Sequence, residues 1–375
     1  MDIICFSHLR WNFVYQRPQH IMSRMANRFR VFFIEEPFFD TASPYLESRQ
    51  EHENLGVIVP HLPQGLTDDQ VGKQVDELLN EFMSLHKLKS FIVWYYTPMA
   101  FRSESVFDAD LVVYDCMDEL SAFRFAPPAL KEKEKQLMER ADIVFTGGYS
   151  LYEAKKSSHL NIHLFPSSID AKHFQLARTL ISDMPDQEQI GYPRIGFFGV
   201  IDERMDIELL NGLAMQRPDW HFVLLGPVVK IDPATLPQHS NIHYLGQKSY
   251  NELPRYIAHW DVAMMPFAIN ESTRYISPTK TPEYLAAGKP VVSTRVHDVV
   301  QSYGQTDFVY FGSTANEFVD GIERALSIAD KIKWLRAVDE SLSVNSWDIT
   351  CDKMLQQIYS TLPKQIQPEK ETGYV

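Results

Sequence analysis

The 375-residue chain carries 49 acidic and 36 basic residues, a formal net charge of −13, with 45% hydrophobic and 23% charged residues. This is globular composition, which excludes a disordered chain and a fibrous repeat. The 3 cysteines, Cys5, Cys116 and Cys351, are too few and too scattered for a disulfide framework or a cysteine-based zinc site, and the acidic balance argues against general nucleic-acid binding.

In chain order, residues 2–6 read as a buried strand and 19–27 as a helix with Ile21, Met22 and Met25 on one face. Strand 31–34, helix 71–85 and strand 91–96 come next, the last closed by Pro98. Strands 111–114 and 143–146 flank a helix over 130–140, Ser150 caps a short helix, and 163–165 is a further strand. The pattern lapses over 175–193, a polar stretch with two prolines that reads as an interdomain linker. It restarts with strand 194–198, helix 207–214 and strands 220–225, 242–245, 262–266, 291–293 and 308–310. Alternation of this kind predicts an α/β protein of two doubly wound, Rossmann-like domains, 1–180 and 193–346, facing a central cleft. A final helix over 347–362 is expected to pack back on the first domain. The amino terminus lacks the marks of a signal peptide, and the most apolar stretch, 91–101, is too short to span a bilayer, so a cytoplasmic protein is expected.

Parallel sheets bind ligands beyond the carboxyl ends of their strands, so the informative residues should lie just after strands. The sharpest segment is SPTKTPEYLAAGKPVVST, from Ser277 to Thr294. Ser277 reads as an N-cap, Pro278 suits the first helical position, and Gly288 with Pro290 ends the helix. A helix opening there favours an anion, and Lys280 adds a full charge. Glu283 lies three residues on, on the same face, suited to accept hydrogen bonds from a ribose diol. The plainer reading of Lys280 and Glu283 is an exposed surface pair.

This segment resembles the donor-site signature of the GT-B glycosyltransferases, especially the retaining enzymes of glycosyltransferase family four (glycosyltransferase group 1). Their pattern is Glu-x7-Glu and then Ala-x-Gly-x-Pro-Val-Val. Glu283 stands at the second Glu, Ala286, Gly288, Pro290, Val291 and Val292 match the remainder of the pattern, and Tyr275 stands where the first Glu is expected. The resemblance implies that Glu283 binds the ribose of a nucleoside-diphosphate sugar, with Ser277, Thr279 and Lys280 serving the diphosphate. Whether Tyr275, Arg274 or Glu271 takes over the work of the absent Glu is left open. Gly199 ends the first strand of the donor domain, and Arg204 is the candidate second cation for the diphosphate, the alternative being a solvated loop arginine. The backbone of Gln247 and Lys248, after Gly246, would read the nucleobase edge. Tyr250 to Trp260 beyond them reads as an amphipathic packing helix.

The first half matches less specifically. His8, Arg10 and Trp11 lie just past a strand end, on what the resemblance makes the acceptor side, with packing and solvation as the plain alternative. Asp118, after strand 111–114, is the other candidate near the reacting sugar, with a helix N-cap as its alternative. His8 and Asp118 are thus the candidate catalytic residues. Asp108-Ala109-Asp110 has the form of a metal-binding Asp-x-Asp, but it precedes its strand and reads as a solvated turn. The 13 histidines show no metal-ligand spacing, so no metal and no cofactor beyond the nucleotide-sugar co-substrate is expected.

The implied function is transfer of a sugar from a nucleoside-diphosphate sugar to a glycan or lipid-linked acceptor, with retention, in surface polysaccharide or glycoconjugate synthesis. The rivals are a nucleotide-sugar epimerase of the same fold and a non-catalytic nucleotide-sugar-binding protein. A nicotinamide oxidoreductase is argued against, because neither half carries the glycine fingerprint. Peripheral contact with the inner face of a membrane would rest on two basic faces, Arg17, Arg24, Arg28 and Arg30, and Lys131, Lys133 and Lys135. The second is interleaved with Glu132 and Glu134.

Overall fold

The computed structural model describes residues 1–102 and 107–363. The first sheet is built from β1 (Asp2–Phe6), β2 (Arg30–Ile34), β3 (Tyr45–His52), β4 (Leu55–His61), β5 (Phe91–Tyr95), β6 (Leu111–Cys116), β7 (Ile143–Thr146) and β8 (Ile162–Leu164). Its helices are α1 (Arg17–Met25), α2 (Asp68–Leu85), α3 (Leu130–Arg140) and α4 (Tyr149–Lys155). The chain continues through α5 (Ala171–Gln175) into β9 (Arg194–Phe198), α6 (Ile207–Gln216), β10 (His221–Leu225), β11 (Ile242–Tyr244), α7 (Leu253–Ala258) and β12 (Val262–Met265). Then come α8 (Lys280–Ala286), β13 (Val291–Ser293), α9 (His297–Tyr303), β14 (Val309–Phe311), α10 (Ala315–Leu326), α11 (Lys331–Leu342) and α12 (Trp347–Thr361).

The strand orders are β3-β4-β2-β1-β5-β6-β7-β8 and β11-β10-β9-β12-β13-β14. Every pairing between these strands is parallel except β3 with β4. In each sheet the order reverses at one strand, β1 in the first and β9 in the second, and crevices for ligands open at such points. The expected α/β class with two parallel-sheet domains is the observed architecture.

Both faces of the first sheet are covered. Ile3, Cys5 and Trp94 point to one apolar cluster, and Ile4, Phe6 and Tyr95 to the other. Helix α12 supplies Trp347, Cys351, Met354, Leu355 and Ile358 to the first of these, a helical spacing that presents one face. The last helix therefore packs on the first sheet. Burying each such side chain contributes about 1.5–3 kcal/mol, which ties the chain end across both domains.

Three sequence expectations need correction. The hairpin β3–β4 has no counterpart among the predicted elements. YLESRQEH lies at the sheet edge with polar residues on both faces, so it lacks the alternation that marks a strand. Helix α1 starts at Arg17, before residue 19, with Pro18 in its first turn and Gln19 Oε1 accepting from the Gln16 backbone N–H at 3.0 Å. The stretch 175–193 is no free linker. Ala177, Met184 and Ile190 are buried in the core of the second sheet, and so are Ile169 and Phe174 before them. The fully buried Gln187 donates to the Tyr256 carbonyl at 3.1 Å and accepts from Trp260 Nε1 at 2.9 Å. The core thus changes hands before Ile169, not at residue 180.

Candidate functional site

The site is set by two glycines at the ends of neighbouring strands, β9 and β10. Gly199 lies just after β9 with φ +141° and Gly226 just after β10 with φ +145°, values in the region that favours glycine. A Cβ at Gly226 would stand 1.9 Å from the Gly199 carbonyl oxygen, and one at Gly199 would stand 2.2 Å from Lys280 Cε. The bare backbone lets the Lys280 side chain lie across the end of β9.

Helix α8 opens at Lys280, not at Ser277. Thr279, at its head, is already helical, with φ −63° and ψ −24° and no side-chain cap bond. Ser277 faces the other way: its carbonyl accepts from Ser167 Oγ of the first domain at 2.6 Å, and it lines a separate interdomain crevice. The chain before α8 is spent on contact between domains, so the expected cap does not form. Tyr284 holds the helix down, its hydroxyl accepting from the Phe198 N–H at 2.9 Å.

A cavity of about 500 Å³ lies between the domains at these strand ends. Its lining includes Gly199, Arg204, Gln247, Lys248, Thr279, Lys280 and Glu283 from the second domain, and residues 11–16 from the first. Seven of the eight residues expected to hold a donor are thus brought together, and Ser277 is the exception. Burial pushes the Glu283 carboxyl up to about 7, against the pull of Lys280 and a hydrogen bond with Thr279. Burial also lowers Lys280, helped by Arg204 and opposed by Glu283. Arg204 is no solvated loop residue. Its Nε and Nη2 donate to the buried Asp202 carboxylate at 2.9, 3.1 and 2.7 Å. Two fixed cations beside a buried carboxylate suit a ligand that is anionic at one end and rich in hydroxyls at the other.

The side chains of Gln247 and Lys248 are engaged elsewhere. Gln247 Nε2 donates to the Phe13 carbonyl of the first domain at 2.6 Å, and Lys248 Nζ pairs with Asp186 at 2.6 Å. Asp118 and His8 lie outside this lining. Burial raises the Asp118 carboxyl to about 6, opposed by Arg204, Arg17 and Lys280, so it stands within electrostatic reach of both cavity cations. It caps no helix: Glu119 heads the short turn beyond it. Burial pushes the His8 imidazole down to about 4, with Lys230 adding to it, and its Nδ1 is buried without a partner.

The other first-domain candidates are more structural than expected. Trp11 is buried, its ring edge-on to Phe33 at 5.0 Å and its backbone N–H donating to Glu35 Oε1 at 2.8 Å, although it borders the cavity. Arg10 pairs with Glu35 at 3.1 Å and lies 3.9 Å over the Phe38 ring. Arg274 is an exposed loop residue 3.7 Å from Glu271. Tyr275, at the place of the family's first Glu, packs against the first sheet's apolar cluster. Asp110 precedes β6 and accepts from Ser90 Oγ at 2.7 Å, so the Asp-x-Asp sits at the sheet end away from the cavity.

The four arginines expected to form one basic face are each paired with a carboxylate, and two of them, Arg28 and Arg30, lie beyond α1. Arg17 is buried against Asp115, Arg24 pairs with Asp348, Arg28 with Asp352 and Arg30 with Asp2. On α3, Lys133 donates to the Phe101 carbonyl at 2.8 Å. Among the described residues, no helix is long and apolar enough to cross a membrane. Residues that sequence reasoning misses include Asp202, which fixes Arg204, and Tyr15 and Tyr250, which line the cavity. Tyr250 falls in a single turn ahead of α7 rather than on the packing helix itself.

Comparison with known proteins agrees with this geometry. Residues 192–327 match the family model described as "Glycosyl transferases group 1". A Bacillus subtilis (strain 168) protein, TuaH, named for an inferred role as a teichuronic acid biosynthesis glycosyltransferase, is 27% identical over 245 residues. That alignment covers 61% of this chain and spans 59% of the relative's length. Solved structures match across nearly the whole chain at low identity, which speaks for the fold alone. An E. coli structure titled as trehalose-6-phosphate bound with UDP-2-fluoro glucose has a TM-score of 0.69 at 11% identity, covering 96% of this chain and 99% of that one. The sucrose-phosphate synthase of Thermosynechococcus elongatus has a TM-score of 0.68 at 14% identity, covering 96% and 98%. The catalytic domain of Arabidopsis thaliana starch synthase IV, bound to ADP and acarbose, has a TM-score of 0.66 at 12% identity, covering 96% and 99%. With parallel sheets facing one cleft and the donor-type segment lining it, this chain has the GT-B fold and carries a glycosyl transferases group 1 domain at residues 192–327.

Proposed function

We propose that this protein is a glycosyltransferase that takes a sugar from a nucleoside-diphosphate sugar held by the second domain. One observation carries the reading: a single turn of α8 sends Lys280 and Glu283 into the interdomain cavity, opposite the Asp202-anchored Arg204. Breaking the sugar–phosphate bond builds negative charge on the diphosphate. Lys280 and Arg204 are already fixed where that charge would develop, so little reorganisation is needed at the moment of reaction. Glu283 takes ribose hydroxyls. The first-domain loop 11–16 roofs the cavity and excludes water, which limits hydrolysis of the donor. In this reading Asp118 and His8 face the transferred sugar and the acceptor, and side-chain cations rather than a metal balance the diphosphate.

The finer assignments belong to the same proposal. The acceptor is a glycan or lipid-linked glycan approaching from the first domain, the anomeric configuration is retained, and the product belongs to a surface polysaccharide. The Bacillus relative's name supports the last of these. A cytoplasmic site of action accords with three free, buried cysteines.

The test is calorimetric titration of the wild type, Lys280→Ala and Glu283→Ala with UDP and GDP. At least one nucleotide is expected to bind the wild type, and each variant to bind it about tenfold or more weakly. Silence from both nucleotides, or unchanged binding by both variants, would overturn the assignment. Product analysis with donor alone separates transfer from epimerisation.

A further inference from the structure

Glu283 and Tyr250 both line the interdomain cavity, and each carries a buried polar atom that lacks any hydrogen-bond partner: Glu283 Oε2 and the Tyr250 hydroxyl oxygen. An orphaned buried polar group is costly to leave unpaired, and two on residues that line one cavity point to a ligand that satisfies both. The carboxylate oxygen can only accept, whereas the phenol can donate or accept. No hydrogen bond joins them, so neither satisfies the other.

Tyr250 is also held more firmly than a packing residue requires. Its ring is sandwiched between His173 at 4.2 Å (9° between planes) and Tyr15 at 4.6 Å (29°). Phe174 and His20 meet it edge-on at 5.7 and 5.6 Å. His173 Nε2 lies 3.0 Å from the Tyr250 carbonyl oxygen. Tyr15 belongs to the first domain and the rest of the clamp to both, so the position of the phenol depends on how the domains meet.

We propose that Tyr250 is a second ligand of the donor's ribose, its hydroxyl and the Glu283 carboxylate together taking the vicinal 2′,3′-diol, with Tyr15 of the opposite domain positioning the ring. This rests on the donor reading above and adds to it a residue and a coupling. A diol presents two hydroxyls at fixed spacing, one to donate to the carboxylate and one to exchange a bond with the phenol. The geometry makes ribose recognition complete only when the first domain is seated on the second. Selectivity for ribonucleotides over deoxyribonucleotides is thereby tied to domain closure.

The experiment titrates the full chain with UDP, 2′-deoxy-UDP and 3′-deoxy-UDP, and with the three GDP counterparts. The wild type is expected to bind the ribo form about tenfold or more tightly than either deoxy form. Tyr250→Phe keeps the stacked ring and removes only the hydroxyl. It should weaken the ribo form about tenfold while leaving unchanged the deoxy form that lacks the partner hydroxyl. Tyr15→Ala should narrow the ribo-to-deoxy ratio, and Tyr15→Phe should restore it. If nucleotides bind and Tyr250→Phe weakens all forms equally or none, the Tyr250 assignment falls while the donor reading stands. If no nucleotide binds the wild type, both fall.

Discussion

The Lys280 side chain rests on Gly199: a Cβ there would meet Lys280 Cε at 2.2 Å and Nζ at 2.8 Å. One residue follows a strand and the other opens a helix much later in the chain, and the missing side chain of the first sets the ammonium of the second.

Gly199→Ala should therefore displace Lys280 without changing that residue. The substitution also strains a backbone at φ +141°. A stability loss of about 1–3 kcal/mol is expected, with nucleotide affinity falling at least as far as in Lys280→Ala. Denaturant titration and calorimetry check the two effects separately. Unchanged affinity in a folded Gly199→Ala protein would refute the link.

Glu283 gives the protein a pH signature. Its carboxyl is raised from an ordinary 4.5 to about 7. Between those values the folded chain holds a proton that the unfolded chain has released. Stability from this group is thus fully present below about pH 4.5 and is lost as pH rises to about 7, up to about 3 kcal/mol. Glu283→Gln removes the titration. Its melting temperature relative to wild type should climb between pH 4.5 and 7.5, and a flat difference across that range would count against the buried carboxyl.

Asp298 joins the domains. Its buried carboxylate accepts from the N–H groups of Tyr149 at 2.7 Å and Ser150 at 3.0 Å, at the start of α4. Gly148 leaves the room, since a Cβ there would stand 2.2 Å from Asp298 Oδ2. Asp298→Ala strands two amides and should cost about 1–3 kcal/mol in urea unfolding. A change within error would mean that the contact carries no stability.

Arg17 and Asp115 form a buried pair, with Nε to the two carboxylate oxygens at 3.0 and 3.2 Å and Nη1 donating to the Phe165 carbonyl at 2.7 Å. Removing either partner leaves a buried charge. Asp115→Ala is expected to cost about 3–5 kcal/mol, and replacing both by apolar residues should recover much of that loss. A double variant as unstable as the two single losses added together would contradict the pairing.

The parallel architecture is legible because its cause is local. A strand buried on both faces reads as an unbroken apolar run, as in IVFT of β7, and parallel neighbours require a crossover helix between them. The hairpin strand β3 is not legible in this way, because an exposed edge needs no such run. The α8 segment is legible for a related reason: glycine and prolines punctuate a short helix, and Lys280 and Glu283 share its face. Its starting residue is not, since Ser277 is committed to Ser167 of the other domain.

The sequence alone, then, determined two doubly wound halves and a cation–carboxylate turn after a strand, because periodicity and helix punctuation act within a few residues. Only the tertiary structure decided what that turn faces. The perch of Lys280 on Gly199, the clamp of Tyr15 and His173 on Tyr250, and the pairing of Arg17 and Arg24 on α1 all depend on packing. Such contacts are fixed by how sheets and domains meet, and most join residues remote in the chain, so no local pattern announces them.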